Sequence, residues 1–155
     1  MSYDITGLPP TFEASQSFEN DRAPNATSKR IKEMLASPAF GEHFARKWLD
    51  LARYADTKGY VYTEERRYAF AYTYRDWVVD AFNRDLPYND FLRLQLAADR
   101  YPATPTKDLA ALGFLTVGRR FVNNIPDVID DRIDVIMRTT QGLTVSCARC
   151  HDHKF

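Results

Sequence analysis

The chain contains only two cysteines, three positions apart, and a histidine directly follows the second: Cys147-Ala148-Arg149-Cys150-His151. Two thiols at this separation can add to the two vinyl groups along one edge of a porphyrin, and the adjacent imidazole then lies beneath the iron as an axial ligand. The spacing predicts covalent haem c, with Cys147 and Cys150 as attachment thiols and His151 on the metal. The iron's other face needs its own account. His153 is too close to His151 to reach round the ring, which leaves Met137, His43 and Met34 as donors of suitable type. Of these, Met137 lies one helix away from the cysteines, and His43 falls on a helix beside an apolar stripe.

Zinc competes for the same residues. Cys147, Cys150, His151 and His153 crowd four ligand-type side chains together. Structural zinc usually clips two ligand pairs separated by about a dozen or more residues. A zinc site here therefore calls for completion by His43 or by further sequence. A dithiol redox pair belongs at a helix start in an α/β fold, and two reduced, partly buried cysteines are the plainest alternative. The pattern places no Asn or Asp to orient His151 for nucleophilic catalysis by a cysteine. Upstream, Asp130 and Asp134 stand one helical turn apart and could share a cation, although the helix dipole alone favours carboxylates in a first turn.

These residues must be positioned by a folded domain. At 155 residues, 45% hydrophobic and 27% charged, the chain can bury one core. Its 21 Lys and Arg balance 21 Asp and Glu, giving no electrostatic case for a nucleic-acid or anionic-membrane partner. Ten Phe, nine Tyr and two Trp suit a helical core, or an aromatic surface for a glycan or protein partner centred on residues 60–72, with Tyr62 and Tyr68 as contacts. No run approaches the roughly 20 apolar residues of a membrane helix. The N-terminus lacks the basic-then-apolar order of a signal peptide.

Residues 1–26, with Pro9-Pro10 and Pro24, read as an irregular lead-in, and residues 27–155 as a single helical domain. Thr27 or Ser28 can cap a short helix, and Ser37-Pro38 stops it and starts another. In that next helix Phe40, Phe44, Trp48 and Leu51 form one stripe, with Lys58-Gly59 as its end. Tyr74, Trp77, Val78, Ala81 and Phe82 mark a further helix, broken at Leu86-Pro87. Tyr88, Phe91, Leu92, Gln95 and Leu96 mark the next, residues 101–105 a linker, and residues 109–117 a short apolar segment. Ile129, Ile133, Ile136 and Thr140 mark a last helix ending near Gly142, just before the cysteines. No strand-like alternation of any length occurs. The expectation is an all-α irregular bundle of five or six helices behind a turn-rich lead-in.

Several runs, in this order, carry a family likeness: Asp4-Ile5-Thr6-Gly7-Leu8-Pro9-Pro10-Thr11, Trp48-Leu49-Asp50, Ala52-Arg53-Tyr54-Ala55-Asp56-Thr57, Tyr74-Arg75-Asp76-Trp77-Val78, Phe82-Asn83-Arg84-Asp85-Leu86-Pro87-Tyr88 and Gln95-Leu96-Ala97, closing with Gly142 through Phe155. Together they resemble a domain of unknown function found in large secreted planctomycete-type proteins, often beside a cytochrome c domain. The resemblance implies haem at Cys147, Cys150 and His151, an extracytoplasmic location, and electron transfer with a redox partner or with adjacent domains of a longer chain. It names no distal ligand and no catalytic acid or base. Members of that family begin with a signal peptide and continue past the position of Phe155, so the chain is expected to be a fragment whose targeting segment lies elsewhere.

Overall fold

The computed structural model describes residues 1–55, 69–117 and 124–152. Its α-helices are α1 (Ser2–Thr6), α2 (Phe12–Asn20), α3 (Ala26–Leu35), α4 (Pro38–Leu51), α5 (Tyr72–Asn83), α6 (Tyr88–Ala97) and α7 (Ile125–Gln141). Shorter-pitched 3₁₀ segments cover Ala98–Arg100, Thr106–Leu115 and Ser146–Arg149. No strand occurs among the described residues, so the fold is all-α as expected, with more helices than the five or six expected.

The surplus lies in the lead-in, which is helical rather than irregular. Gly7, at φ 69°, ends α1, and the Thr11 hydroxyl caps α2 by accepting the Ala14 N–H at 3.2 Å. Neither helix buries a residue. No inward apolar stripe was therefore there for periodicity to reveal. The Ser37-Pro38 boundary holds: the Ser37 hydroxyl accepts the Ala39 N–H at 3.3 Å, and Pro38 occupies the first turn of α4.

The far end of α4 departs from expectation. The Lys58-Gly59 stop lies outside the described residues, and the helix ends earlier, at Leu51. Arg53 takes a left-handed conformation, φ 61°, and its N–H bonds to the Asp50 carbonyl at 3.1 Å. The Tyr54 N–H reaches back to the Leu49 carbonyl at 2.9 Å. These paired bonds form a Schellman stop built without glycine. A side chain in this conformation costs about 1–2 kcal/mol. The compensation is in view: the Arg53 guanidinium makes a two-pronged ion pair with Asp131 of α7, at 2.5 and 3.0 Å.

The core forms where α4, α5, α6 and the Thr106–Leu115 segment meet. Trp48 packs edge-on to Phe91 at 4.8 Å and stacks on Phe114 at 5.7 Å, while Trp77 stacks on Phe91 at 5.4 Å. On α6 the buried row is Phe91, Leu94, Gln95 and, just beyond, Ala98, while Tyr88 and Leu96 are exposed. Gln95 is fully buried, and its side-chain oxygen accepts from Trp48 Nε1 at 2.8 Å and from the Tyr74 hydroxyl at 2.7 Å. Burial raises the Tyr74 pKa, so the phenol stays protonated and keeps donating.

The apolar segment after the linker is a ten-residue 3₁₀ helix. With three residues per turn, positions three apart share one face. Asp108, Ala111 and Phe114 are the buried set. Gly113 permits the close approach to α5, because a Cβ there would meet the Tyr74 Cβ at 2.5 Å. Asp108 accepts from Trp77 Nε1 at 2.8 Å and from Arg84 at 2.7 Å. Burial pushes its carboxyl up, but the hydrogen bonds from Arg84 and Trp77 outweigh this and hold it below the ordinary value.

Two outcomes follow. Arg53→Ala and Arg53→Gly both remove the Asp131 pair, yet the glycine variant should be the more stable by about 1 kcal/mol, since only alanine retains the left-handed penalty. Urea unfolding of both measures it, and equal midpoints would contradict the Schellman account. Asp108→Asn should lose about 1.5–3 kcal/mol at pH 7. A depressed folded-state pKa contributes stability above the ordinary carboxylate range and loses it as pH falls through the folded value. Wild type and variant should therefore converge as pH falls below the ordinary carboxylate range in the same unfolding experiment.

Candidate functional site

Helix α7 positions the cysteine motif. The Asn124 side chain caps its start by accepting the Asp127 N–H at 3.4 Å, and Gly142, at φ 67°, ends it. The Gly142 N–H bonds to the Arg138 carbonyl and the Leu143 N–H to the Met137 carbonyl, each at 3.2 Å. The left-handed glycine turns the chain back on itself. From Asp127 to Gln141 the helix rises about 21 Å. The short stretch beyond it returns Arg149 to the start of α7, where its guanidinium pairs with Asp127 and reaches Asp130 at 3.7 Å. The hydrogen bond that Arg149 donates to Asp127, and the charge of that carboxylate, raise the Arg149 pKa further. The motif is thus laid along its own preceding helix and tied there by the arginine between its cysteines.

Within this return loop, the Ala148 N–H bonds to the Val145 carbonyl at 2.9 Å and the Cys150 N–H to the Cys147 carbonyl at 3.2 Å. A turn closed over three residues brings its first and last positions to the same side. Cys147 and Cys150 are both exposed, free thiols. His151 is exposed too, with Nδ1 at 2.8 Å from the Asp152 carbonyl oxygen. A carbonyl only accepts, so Nδ1 carries the proton and Nε2 keeps its lone pair. This is the arrangement that prepares a histidine for a metal, its other nitrogen fixed by a backbone partner. The residues present therefore fit a covalently attached haem.

The three donors considered for the iron's second face lie in different places. Met137 is half-buried on α7, and its carbonyl anchors the first residue of the return loop. His43 lies at the α1–α4 junction, edge-on to Phe44 at 5.3 Å, and a Cβ on Gly7 would fall 2.4 Å from its Nδ1. It stands about 12 Å along α4 from the end that leads to Arg53 and α7. Met34 is buried on α3.

The acidic run upstream of the motif separates onto three arginines. Asp130 faces Arg149, Asp131 faces Arg53, and Asp134 pairs with Arg138. The shared cation considered for Asp130 and Asp134 is thus replaced by ion pairs. Among the described residues no group of three or more His, Cys, Asp or Glu converges as a metal site. His153 and the aromatic stretch with Tyr62 and Tyr68 lie outside the described residues. No described helix is long and apolar enough to cross a membrane.

Sequence reasoning missed Arg149 and Asp127 as the loop's anchor, because two charges 22 residues apart give no signal of pairing. Arg149→Ala should free the loop without unfolding the domain. Hydrogen exchange at Ala148 and Cys150 should accelerate at least about fivefold while the unfolding midpoint moves by less than about 2 °C. Unchanged exchange would mean that the pair does not hold the loop.

No curated protein and no solved structure matches the chain. A family model does match, over residues 1–155, and its description is PSCyt2, protein of unknown function (DUF1549). With the match running the whole length of the helical domain and its cysteine loop, the chain belongs to the PSCyt2 (DUF1549) family.

Proposed function

We propose that this domain carries a c-type haem on Cys147 and Cys150, with His151 as axial ligand, and serves electron transfer in an extracytoplasmic protein of the secreted, cytochrome-associated planctomycete type. The observation that carries this reading is the turn at residues 147–151. Two free, exposed thiols close one turn, and the next residue is a histidine whose Nδ1 is already committed to a carbonyl. Cys147 and Cys150 would hold the group by adding S–H across its two vinyl groups, sulfur to one carbon and hydrogen to the other, a redox-neutral attachment that leaves no by-product. His151 offers Nε2, and Arg149 holds the turn against α7. Met137, on the helix that bears the loop, is the second-face donor we assign in preference to His43. Bound haem supplies one-electron chemistry, with its potential set by axial ligands and burial. Electrons would pass to a redox partner or to adjacent domains of a longer chain.

Production with a periplasmic leader and cytochrome maturation proteins should yield a red protein with one haem per chain that resists acid–acetone extraction. Cys147→Ser combined with Cys150→Ser should render the haem fully extractable, and Met137→Ala should alter the spectrum of the reduced protein where His43→Ala does not. A colourless wild-type product binding one zinc would refute the reading.

A further inference from the structure

Helix α5 separates two open clefts that share a pair of carboxylates. One cleft, of about 770 Å³, lies between α4 and α5. The other, of about 580 Å³, lies between α5 and the Thr106–Leu115 segment, and Asp76 and Asp80 line both. The two carboxylates stand one helical turn apart, with Tyr72 one turn before them. In the second cleft Tyr72, Thr73, Thr106 and Lys107 join them.

The charges around the pair select the kind of ligand. Asp76 Oδ1 accepts from Arg75 Nε at 3.0 Å and lies 2.9 Å from a second nitrogen of the same guanidinium. Asp80 Oδ2 lies 3.4 Å from Arg84 Nε and 3.5 Å from Lys107 Nζ. Among the described residues these contacts fall on one oxygen of each carboxylate, which leaves the other oxygen to accept from a ligand. A cationic ligand would have to compete with the arginines and the lysine already in place, and an anionic one would be repelled by the carboxylates. A neutral ligand rich in hydroxyls meets neither cost. Each hydroxyl can donate to a carboxylate and accept from the cation beside it. The Thr73 hydroxyl donates to the Phe70 carbonyl at 2.8 Å and so keeps its lone pairs for the same purpose. Tyr72, 44% exposed, adds a ring whose apolar face can cover the C–H groups of a sugar.

We propose that the Tyr72–Asp76–Asp80 face of α5, with the cleft on either side, is a binding site for a neutral oligosaccharide. A sugar ring stacks on Tyr72, and the hydroxyls of the chain bond to Asp76, Asp80 and their cations. Because both clefts share the carboxylates, one linear ligand of several sugars can cross α5 and occupy both. Tyr72 also closes the aromatic stretch of residues 60–72 that the sequence nominates for a glycan. The site stands apart from the haem reading and does not depend on it.

Calorimetric titration of the full chain with cellotetraose, mannotetraose and laminaritetraose tests the proposal. At least one should bind saturably at millimolar concentration, with an affinity that changes less than about twofold between low and moderate salt, because the ligand carries no charge. Tyr72→Ala should weaken binding at least about tenfold and Asp76→Ala at least about fivefold, while Tyr72→Phe stays near wild type. Phe12→Ala, which removes an aromatic ring 75% exposed on α2, should have no effect. No binding of any of the three tetrasaccharides would overturn the proposal. Binding that survives both alanine variants would overturn it by placing the sugar elsewhere. Salt-sensitive binding of pentalysine, with none of the tetrasaccharides, would overturn it by assigning the clefts to a basic peptide.

Discussion

The Arg53–Asp131 ion pair joins the two halves of the domain's logic. On one side it stabilises a left-handed arginine at the end of α4, where the chain leaves the aromatic core. On the other it fixes the rotation of α7, the helix that leads into the cysteine turn. Only Val135 of α7 joins the fully buried core cluster, with Ile136 packed at its margin. Apolar burial alone would therefore specify this helix weakly. Directed charge contacts do what burial does elsewhere: Arg53 to Asp131, and Arg132 to the Leu115 carbonyl at 3.3 Å. Partly buried ion pairs are poor sources of net stability because desolvation offsets their attraction. Their geometry is nonetheless selective, and here it chooses which face of the helix looks outward.

Behind that arrangement the core is made rigid by aromatic packing around a polar centre. Trp48, Tyr74 and Gln95 satisfy one another's hydrogen-bonding groups where no water enters, and the Gln95 amide nitrogen donates back to the Phe91 carbonyl at 3.1 Å. A buried polar group of this kind is tolerated only when its partners are in place. The triangle therefore fixes the register of α4, α5 and α6 together. The 3₁₀ segment closes the same core through Ala111 and Phe114, and Asp108 ties it to Trp77 and Arg84. The result is a firm platform with one loosely attached helix bearing the reactive turn.

The turn itself is prepared by local chemistry. A glycine reverses the chain, a short closed turn sets the thiols together, and a carbonyl assigns the tautomer of His151. None of these features depends on the aromatic core. What the core contributes, through α7, is a place for the turn to rest.

The sequence by itself determined the helical class, the helix boundaries at Ser37-Pro38, Leu86-Pro87 and Gly142, and the residue types at 147, 150 and 151, because period, proline, glycine and thiol chemistry are local properties. It did not reveal α1 and α2, which have no buried stripe, or the stop at Arg53, where an arginine holds a position that normally calls for glycine. It also left the orientation of α7 open. A stripe of isoleucines reads the same whether it faces the core or the solvent, and the choice was made by arginines from distant parts of the chain. Only the tertiary structure decided that, because an ion pair such as Arg53 with Asp131 or Arg149 with Asp127 exists only once folding has brought the two charges together.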